Sequence, residues 1–220
     1  MSNSANATDL DAGEPAESDG KLVGVDLIRD AGLFAILKED WNTHYRQISA
    51  PGFWALAIYR FGNWSSTLPR PFKWLGTIVY VIAQRTIRNL CGIELERSVK
   101  VGRRLLLGHQ HGIVIHRHAT IGDDVLIRHG VTFGRGVSWT HEEGPVIGDR
   151  VEFSPGAVVI GNVTIGDDVS VGPNCVITQN VPPGRSLFVP PPRSLPKKEF
   201  VEETGSKTSP ADNGTETDRA

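Results

Sequence analysis

Five of the seven histidines fall between positions 109 and 129: His109, His111, His116, His118 and His129. Imidazole titrates near neutral pH, so such a cluster offers either a general base or ligands for a metal ion. His111 and His116, in HGIVIH, have a spacing that zinc could use. His116 and His118 flank a turn in IHRHATIG and read as outward side chains. His109, in LLLGHQHG, sits in surroundings that set it apart from a solvated surface histidine.

What these side chains can do depends on the backbone that carries them. Aliphatic or aromatic residues recur every six positions at Ile115, Ile121, Ile127 and Phe133, then at Ile147, Phe153, Val159, Ile165, Val171 and Ile177. A second six-step set lies two residues earlier: Ala119, Val125 and Val131, then Val151, Ala157, Val163, Val169 and Cys175. Glycine with Asp or Asn follows many of them, as in Ile121-Gly122-Asp123-Asp124 and Ile165-Gly166-Asp167-Asp168. A period of six fits neither an α-helix nor a flat sheet. It predicts a parallel β-helix with one short strand and one turn per hexapeptide, the small polar residues accepting the positive φ of the corners. Between Phe133 and Ile147 the register breaks, and GRGVSWTHEEG must leave the solenoid as an exposed loop, 134–146.

The rest of the chain frames this repeat. Residues 1–22 and 197–220 are polar and without periodicity, and are expected to be disordered. Residues 23–92 carry helical spacing, seen in Leu33, Ile36, Leu37 and Trp41, and again in Phe53, Trp54, Ala57 and Ile58 after Pro51. They predict a small helical layer packed on the solenoid of 93–196. A weak membrane-surface association stays open for this helical region. The longest apolar run, Leu75 to Ala83, is far short of the roughly 20 residues that span a bilayer. Two cysteines, Cys91 and Cys175, fit a reducing cytoplasm. A net charge of −2 and a pI near 6.4 argue against nonspecific binding to nucleic acid or an anionic membrane.

The stretch GIELERSVKVGRRLLLGHQHGIVIHRHATIGDDVLIRHGVTFG resembles the serine acetyltransferase family of left-handed β-helix acyltransferases, and the resemblance extends over about residues 25–196. GRR, a histidine and then IRHGVTFGRG are most similar to the branch that acetylates sugars in exopolysaccharide synthesis. The resemblance implies a left-handed helix, a homotrimer, acetyl-CoA as co-substrate and no metal. It places the family's catalytic histidine on His109 as general base and its acidic partner on Glu94, 15 residues earlier, within reach on a neighbouring coil. A backbone N–H of Gly134 or Gly136 would face the oxyanion. The resemblance implies a coenzyme A cleft between adjacent solenoids, with contacts that carry over to Gly134, Arg135 and Gly136, to Ser154, Gly156 and Ala157, to Gly172, and to Arg193 for the nucleotide phosphates.

Departures from the family pattern bear on the acceptor. Serine-specific members hold the amino acid with an Arg-His pair just before the re-entry proline; here Glu143-Gly144 stand there, with His141 three residues early. Glu142 and Glu143 would repel a serine carboxylate. The acidic residue before the catalytic histidine is replaced by Gly108. With His129, His141, Glu142 and Glu143 as acceptor-binding candidates, these changes favour a sugar hydroxyl of an exopolysaccharide or its precursor, with L-serine as the alternative. The γ-class carbonic anhydrases share the solenoid and bind zinc by three histidines, and a non-catalytic scaffold is a third possibility.

Overall fold

Four helices precede fourteen short strands in the computed structural model, which describes residues 21–136 and 143–191. The helices are α1 (Gly24–Ala31), α2 (Leu33–Thr43), α3 (Pro51–Ser66) and α4 (Phe72–Cys91). The strands are β1 (Ile93–Leu95), β2 (Lys100–Val101), β3 (Leu106–Gly108), β4 (Ile113–Ile115), β5 (Thr120–Ile121), β6 (Leu126–Arg128) and β7 (Thr132–Gly134). They continue as β8 (Val146–Ile147), β9 (Glu152–Phe153), β10 (Val158–Ile160), β11 (Thr164–Ile165), β12 (Ser170–Val171), β13 (Val176–Ile177) and β14 (Ser186–Leu187). All elements lie in a unit that ends at Val189. Every pairing is parallel, and strands bond to those three places later except at the end, where β12 bonds to β14, giving three faces: β1-β4-β7-β10-β13, β2-β5-β8-β11 and β3-β6-β9-β12-β14. This is the solenoid that the six-residue period predicts.

Both six-step sets point inward and are buried, with Phe133 and Phe153 stacked edge to face at 4.9 Å. The solenoid also has a first coil that the period from Ile115 did not reach. Ile93, Leu95, Val99, Val101, Leu105 and Leu107 fill its interior. Its partners lie 20 residues apart, Leu106 with Leu126, whereas in the next coil Val114 pairs with Thr132, 18 residues on. Two extra residues between β3 and β4 shift the phase and hide that coil from a strict six-step count.

The recurrent Gly-Asp has a structural cause at the corner between the second and third faces. A Cβ on Gly122 would lie 2.4 Å from Asp149 Oδ1, so only glycine fits beneath the carboxylate of the next coil. That carboxylate accepts the Asp123 N–H at 2.8 Å, as Asp167 accepts the N–H of Asp149 and Asp123 that of Arg103. Lys21, placed by the sequence in a disordered tail, pairs with Asp149 at this corner. The remaining tail predictions, for 1–20 and 197–220, lie outside the described residues.

The first coil has no coil before it, so its backbone groups would be left as an open edge. Helices α2 and α3 supply side chains in their place. Tyr59 Oη donates to the Val99 carbonyl at 2.7 Å and accepts the Val101 N–H at 3.3 Å. The Arg60 guanidinium donates to the carbonyls of Val101 at 3.2 Å and Gly102 at 2.6 Å, and its Nε to Asp40 Oδ2 at 3.0 Å. His44 Nε2 accepts the Leu107 N–H at 3.3 Å. Close approach is possible because Gly52 faces β3: a Cβ there would be 2.2 Å from the Leu107 carbonyl oxygen. The expected helical layer is thus a cap on the open end of the solenoid. Its last helix runs unbroken through the β-branched stretch Thr77–Ile82. No helix among the described residues is long and apolar enough to cross a membrane.

Candidate functional site

The two extra residues of the first coil fall in His109–Gly112, at the corner between the third and first faces. His109 (φ 69°), His111 (φ 76°) and Gly112 (φ 74°) all hold left-handed backbone there. Such conformations cost free energy in non-glycine residues and collect where a side chain must be aimed. One coil on, His129 occupies the same corner, its ring 5.8 Å from that of His109 in an edge-on arrangement. Both imidazoles are exposed.

The corner continues as a ladder. Gly130 N–H donates to the His111 carbonyl, Gly156 N–H to that of His129 and Asn174 N–H to that of Pro155. Cβ atoms on Gly112 and Gly130 would lie 3.3 and 3.4 Å from the next rung, and one on Gly156 would lie 2.3 Å from Asn174 Oδ1. The result is a strip with little side-chain bulk leading from the histidines past Ser154, Gly156 and Ala157 to Gly172. Six of the predicted positions, His109, His129, Ser154, Gly156, Ala157 and Gly172, therefore share one corner.

Others do not. Gly134 ends β7, and Arg135 and Gly136 follow it at the opposite corner of the first face. Arg135 lies six positions after His129, across strand β7, a span on the order of 15–20 Å. Within one protomer, then, the Gly134 or Gly136 N–H does not serve His109. Glu143 stands at that far corner too, beside Gly144, where a Cβ would lie 2.6 Å from the His118 backbone. Glu94 is in the middle of β1, opposite Val114 and half-buried. Among the described residues no hydrogen bond or ion pair joins it to His109. His141, Glu142 and Arg193 lie outside the described residues.

The structure adds a cleft that the sequence reading missed. It measures about 380 Å³ and lies between the α2–α3 connector with the start of α3, contributing Tyr45, Gln47, Ser49 and Pro51, and the third face, contributing His109 and Arg128. Arg128 is the only permanently charged side chain among the described lining residues, and no carboxylate lines the cleft. The stem of Arg128 passes over Gly108, whose Cβ would sit 3.8 Å from Arg128 Cγ. Arg128 makes no ion pair among the described residues. Its signal in the sequence was its place directly before His129, on the strand that follows His109 by one coil. A shallow depression lined by Pro51, His109, Gln110 and His129 opens on the other side of the imidazole. His109 thus divides a helix-walled cleft from the glycine strip.

His44 ties this cleft to the cap. It is buried, and its Nδ1 lies 2.8 Å from the Asp40 carbonyl while Nε2 accepts the Leu107 N–H, an arrangement that requires the neutral ring. Burial holds its pKa below the usual value, against the opposing pull of Asp40. Below an unfolded pKa of about 6.5 the unfolded chain binds a proton that the folded chain resists, so stability falls as pH drops from 7 toward 5.5. Asp40, whose carboxyl burial pushes up despite the Arg60 guanidinium, acts with the opposite sign. His44→Gln should therefore flatten the fall of Tm between pH 7 and 5.5, and thermal melts at several pH values check this.

His116 lies apart from the cleft, against His118 at 5.5 Å, and burial with neighbouring cations lowers its pKa. No group of three or more His, Cys, Asp or Glu side chains converges as a metal site among the described residues.

Comparison with known proteins gives a consistent picture. Residues 144–179 match the bacterial transferase hexapeptide family model (six repeats). A serine acetyltransferase of Helicobacter pylori is 35% identical over 115 residues, 52% of this chain and 64% of its own length. One from Staphylococcus xylosus is 40% identical over 89 residues, 39% of this chain and 41% of its own. The chain thus spans less than two thirds of these relatives. Among solved structures, serine acetyltransferase isoform 3 of Entamoeba histolytica, in complex with cysteine, superposes with a TM-score of 0.62 at 26% identity, covering 76% of this chain and 62% of that one.

Proposed function

We propose that this chain, which matches the bacterial transferase hexapeptide family over 144–179 and is similar to serine acetyltransferases, moves an acetyl group from acetyl-CoA to the hydroxyl of L-serine. The observation that carries the acceptor is the cleft beside His109, where one guanidinium stands without an opposing carboxylate. This favours an acceptor that carries its own carboxylate. The relatives' names support serine over the neutral exopolysaccharide sugar that the altered loop suggested. The acidic pair that argued for a sugar is in part accounted for: Glu143 lies at a different corner from His109.

In the proposed reaction the serine hydroxyl enters from the helix-walled cleft, with its carboxylate on Arg128. His109 takes the hydroxyl proton as the oxygen attacks the thioester carbonyl carbon. The tetrahedral intermediate collapses, the C–S bond breaks, and the imidazolium returns its proton to the departing thiolate. Acetyl-CoA supplies the activated acyl group when bound. The strip of Gly112, Gly130 and Gly156, where coil stacking keeps the positions free of side chains, is proposed to take its narrow pantetheine arm. Glu94 is proposed to orient His109 by turning from the first face toward the corner. Gly134, Arg135 and Gly136 belong to the same site if a second copy brings its far corner to this one, as the implied trimer would.

Thiol release from acetyl-CoA tests the reading, with L-serine, serinol and a panel of neutral sugars as acceptors. Serine-dependent release that exceeds release with serinol is expected; release with sugars alone overturns the serine assignment. Arg128→Gln should raise KM for serine roughly 10- to 100-fold, the worth of one charge-assisted hydrogen bond. KM for acetyl-CoA and the rate with serinol should stay unchanged. An equal loss with both acceptors would remove Arg128 from carboxylate recognition.

A further inference from the structure

Helix α4 is the longest among the described residues at 20 residues, yet it buries only Gly76 and Tyr80. Those two pack on α3, Tyr80 over Gly62 and Gly76 against Ser65. The opposite side is apolar and faces outward: Phe72 is 62% exposed, Leu75 57%, Val79 48% and Ile82 62%, with Trp74 at 69% beside them. Positions 72, 75, 79 and 82 follow helical spacing along one stripe.

The charge around this stripe has one sign. Arg70, Lys73, Arg85 and Arg88 lie on or next to α4, all exposed and none in an ion pair among the described residues. No acidic residue occurs between Asp40 and Glu94. The whole-chain charge of −2 averages this away, which is why it argued against an anionic membrane.

We propose that α4 is an interfacial helix that seats the protein on an anionic lipid surface. An amphipathic helix of this kind lies in the headgroup region with its apolar face down, and Lys and Arg beside that face extend toward lipid phosphates. Trp74 and Phe72, at one end of the helix, are the aromatic types that favour this interface. A second copy of this chain fits less well. A twofold contact presents the same patch from both sides, so Arg85 and Arg88 would face a patch that holds no acid to neutralise them.

The experiment is co-sedimentation of the full chain with vesicles of phosphatidylcholine alone or mixed with phosphatidylserine. Trp74→Phe reports whether a blue shift in tryptophan emission arises from α4. Association with the phosphatidylserine vesicles, reversed by salt, is expected. Arg85→Gln/Arg88→Gln should weaken it on the order of tenfold to thirtyfold, since each cation near the surface adds to the attraction. Leu75→Ser/Ile82→Ser should abolish it. These positions are exposed, so melting temperature and acetyl transfer should match wild type and exclude misfolding. No binding to either vesicle, or equal binding to both with the arginine variant unaffected, overturns the proposal. So does a drop in oligomeric size caused by Leu75→Ser/Ile82→Ser in the absence of lipid, which would assign the face to a second copy.

Discussion

His109→Ala should abolish serine-dependent thiol release while acetyl-CoA still binds. A positioned general base contributes roughly 10²–10⁴-fold, and losing it should lower kcat by that factor. Among the described residues the His109 imidazole borders both the cleft and the depression beside the glycine strip, and the His129 ring stands across the corner at 5.8 Å. Replacing His129 should therefore cost less, because its ring borders the depression but not the cleft. Binding of acetyl-CoA, measured by calorimetry, should survive His109→Ala, since the strip that would hold the pantetheine arm is made of backbone and glycine. An unchanged kcat would sink the assignment. Glu94→Gln separates a further point. If Glu94 orients the ring, kcat falls with donor affinity unchanged; a wild-type rate removes it and leaves His109 oriented by its own left-handed corner.

The parts of this picture that were legible in the sequence are those with local causes. A buried residue every six positions follows from one strand and one corner per hexapeptide, so Ile115 to Ile177 could be read directly. The coil from Ile93 to Leu107 has the same interior, but the two extra residues at His109–Gly112 put it out of phase, and the same insertion is what makes the site. The helical layer was predicted as a layer and not as a cap. Tyr59, Arg60 and His44 look like ordinary helix residues until the open edge of β2 and β3 lies beside them. Arg128 went unread for the same reason, since its cleft is walled by residues 45–51, which only tertiary packing brings there. Residues 134–136 border the same face as His109 at its far edge, so they would reach the site only from a neighbouring solenoid, which is where the resemblance puts the coenzyme A cleft.

The largest effect on stability is expected at the cap. Arg60→Ala removes a fully buried guanidinium that serves Asp40 and two edge carbonyls, Val101 and Gly102. Removing one member of a buried pair leaves an uncompensated charge, and such changes cost about 3–5 kcal/mol. For a chain of this size that corresponds to a fall in Tm of roughly 10 °C. Replacing both partners, as in Asp40→Leu/Arg60→Met, should cost less than Arg60→Ala alone, because no charge is then left buried, although the two carbonyls still lose their donors. Thermal melts of the single and double variants decide this; a double variant less stable than Arg60→Ala would mean that the pair itself holds the cap. The consequence reaches the site. Repeat folds lose structure from an uncapped end inward, each coil stabilised by its neighbour. The first coil to loosen would be the one carrying Leu107, Gly108 and His109. Activity of Arg60→Ala should therefore decline on warming before the far coils unfold. Loss of activity that coincides with global melting would show that the first coil holds without its cap.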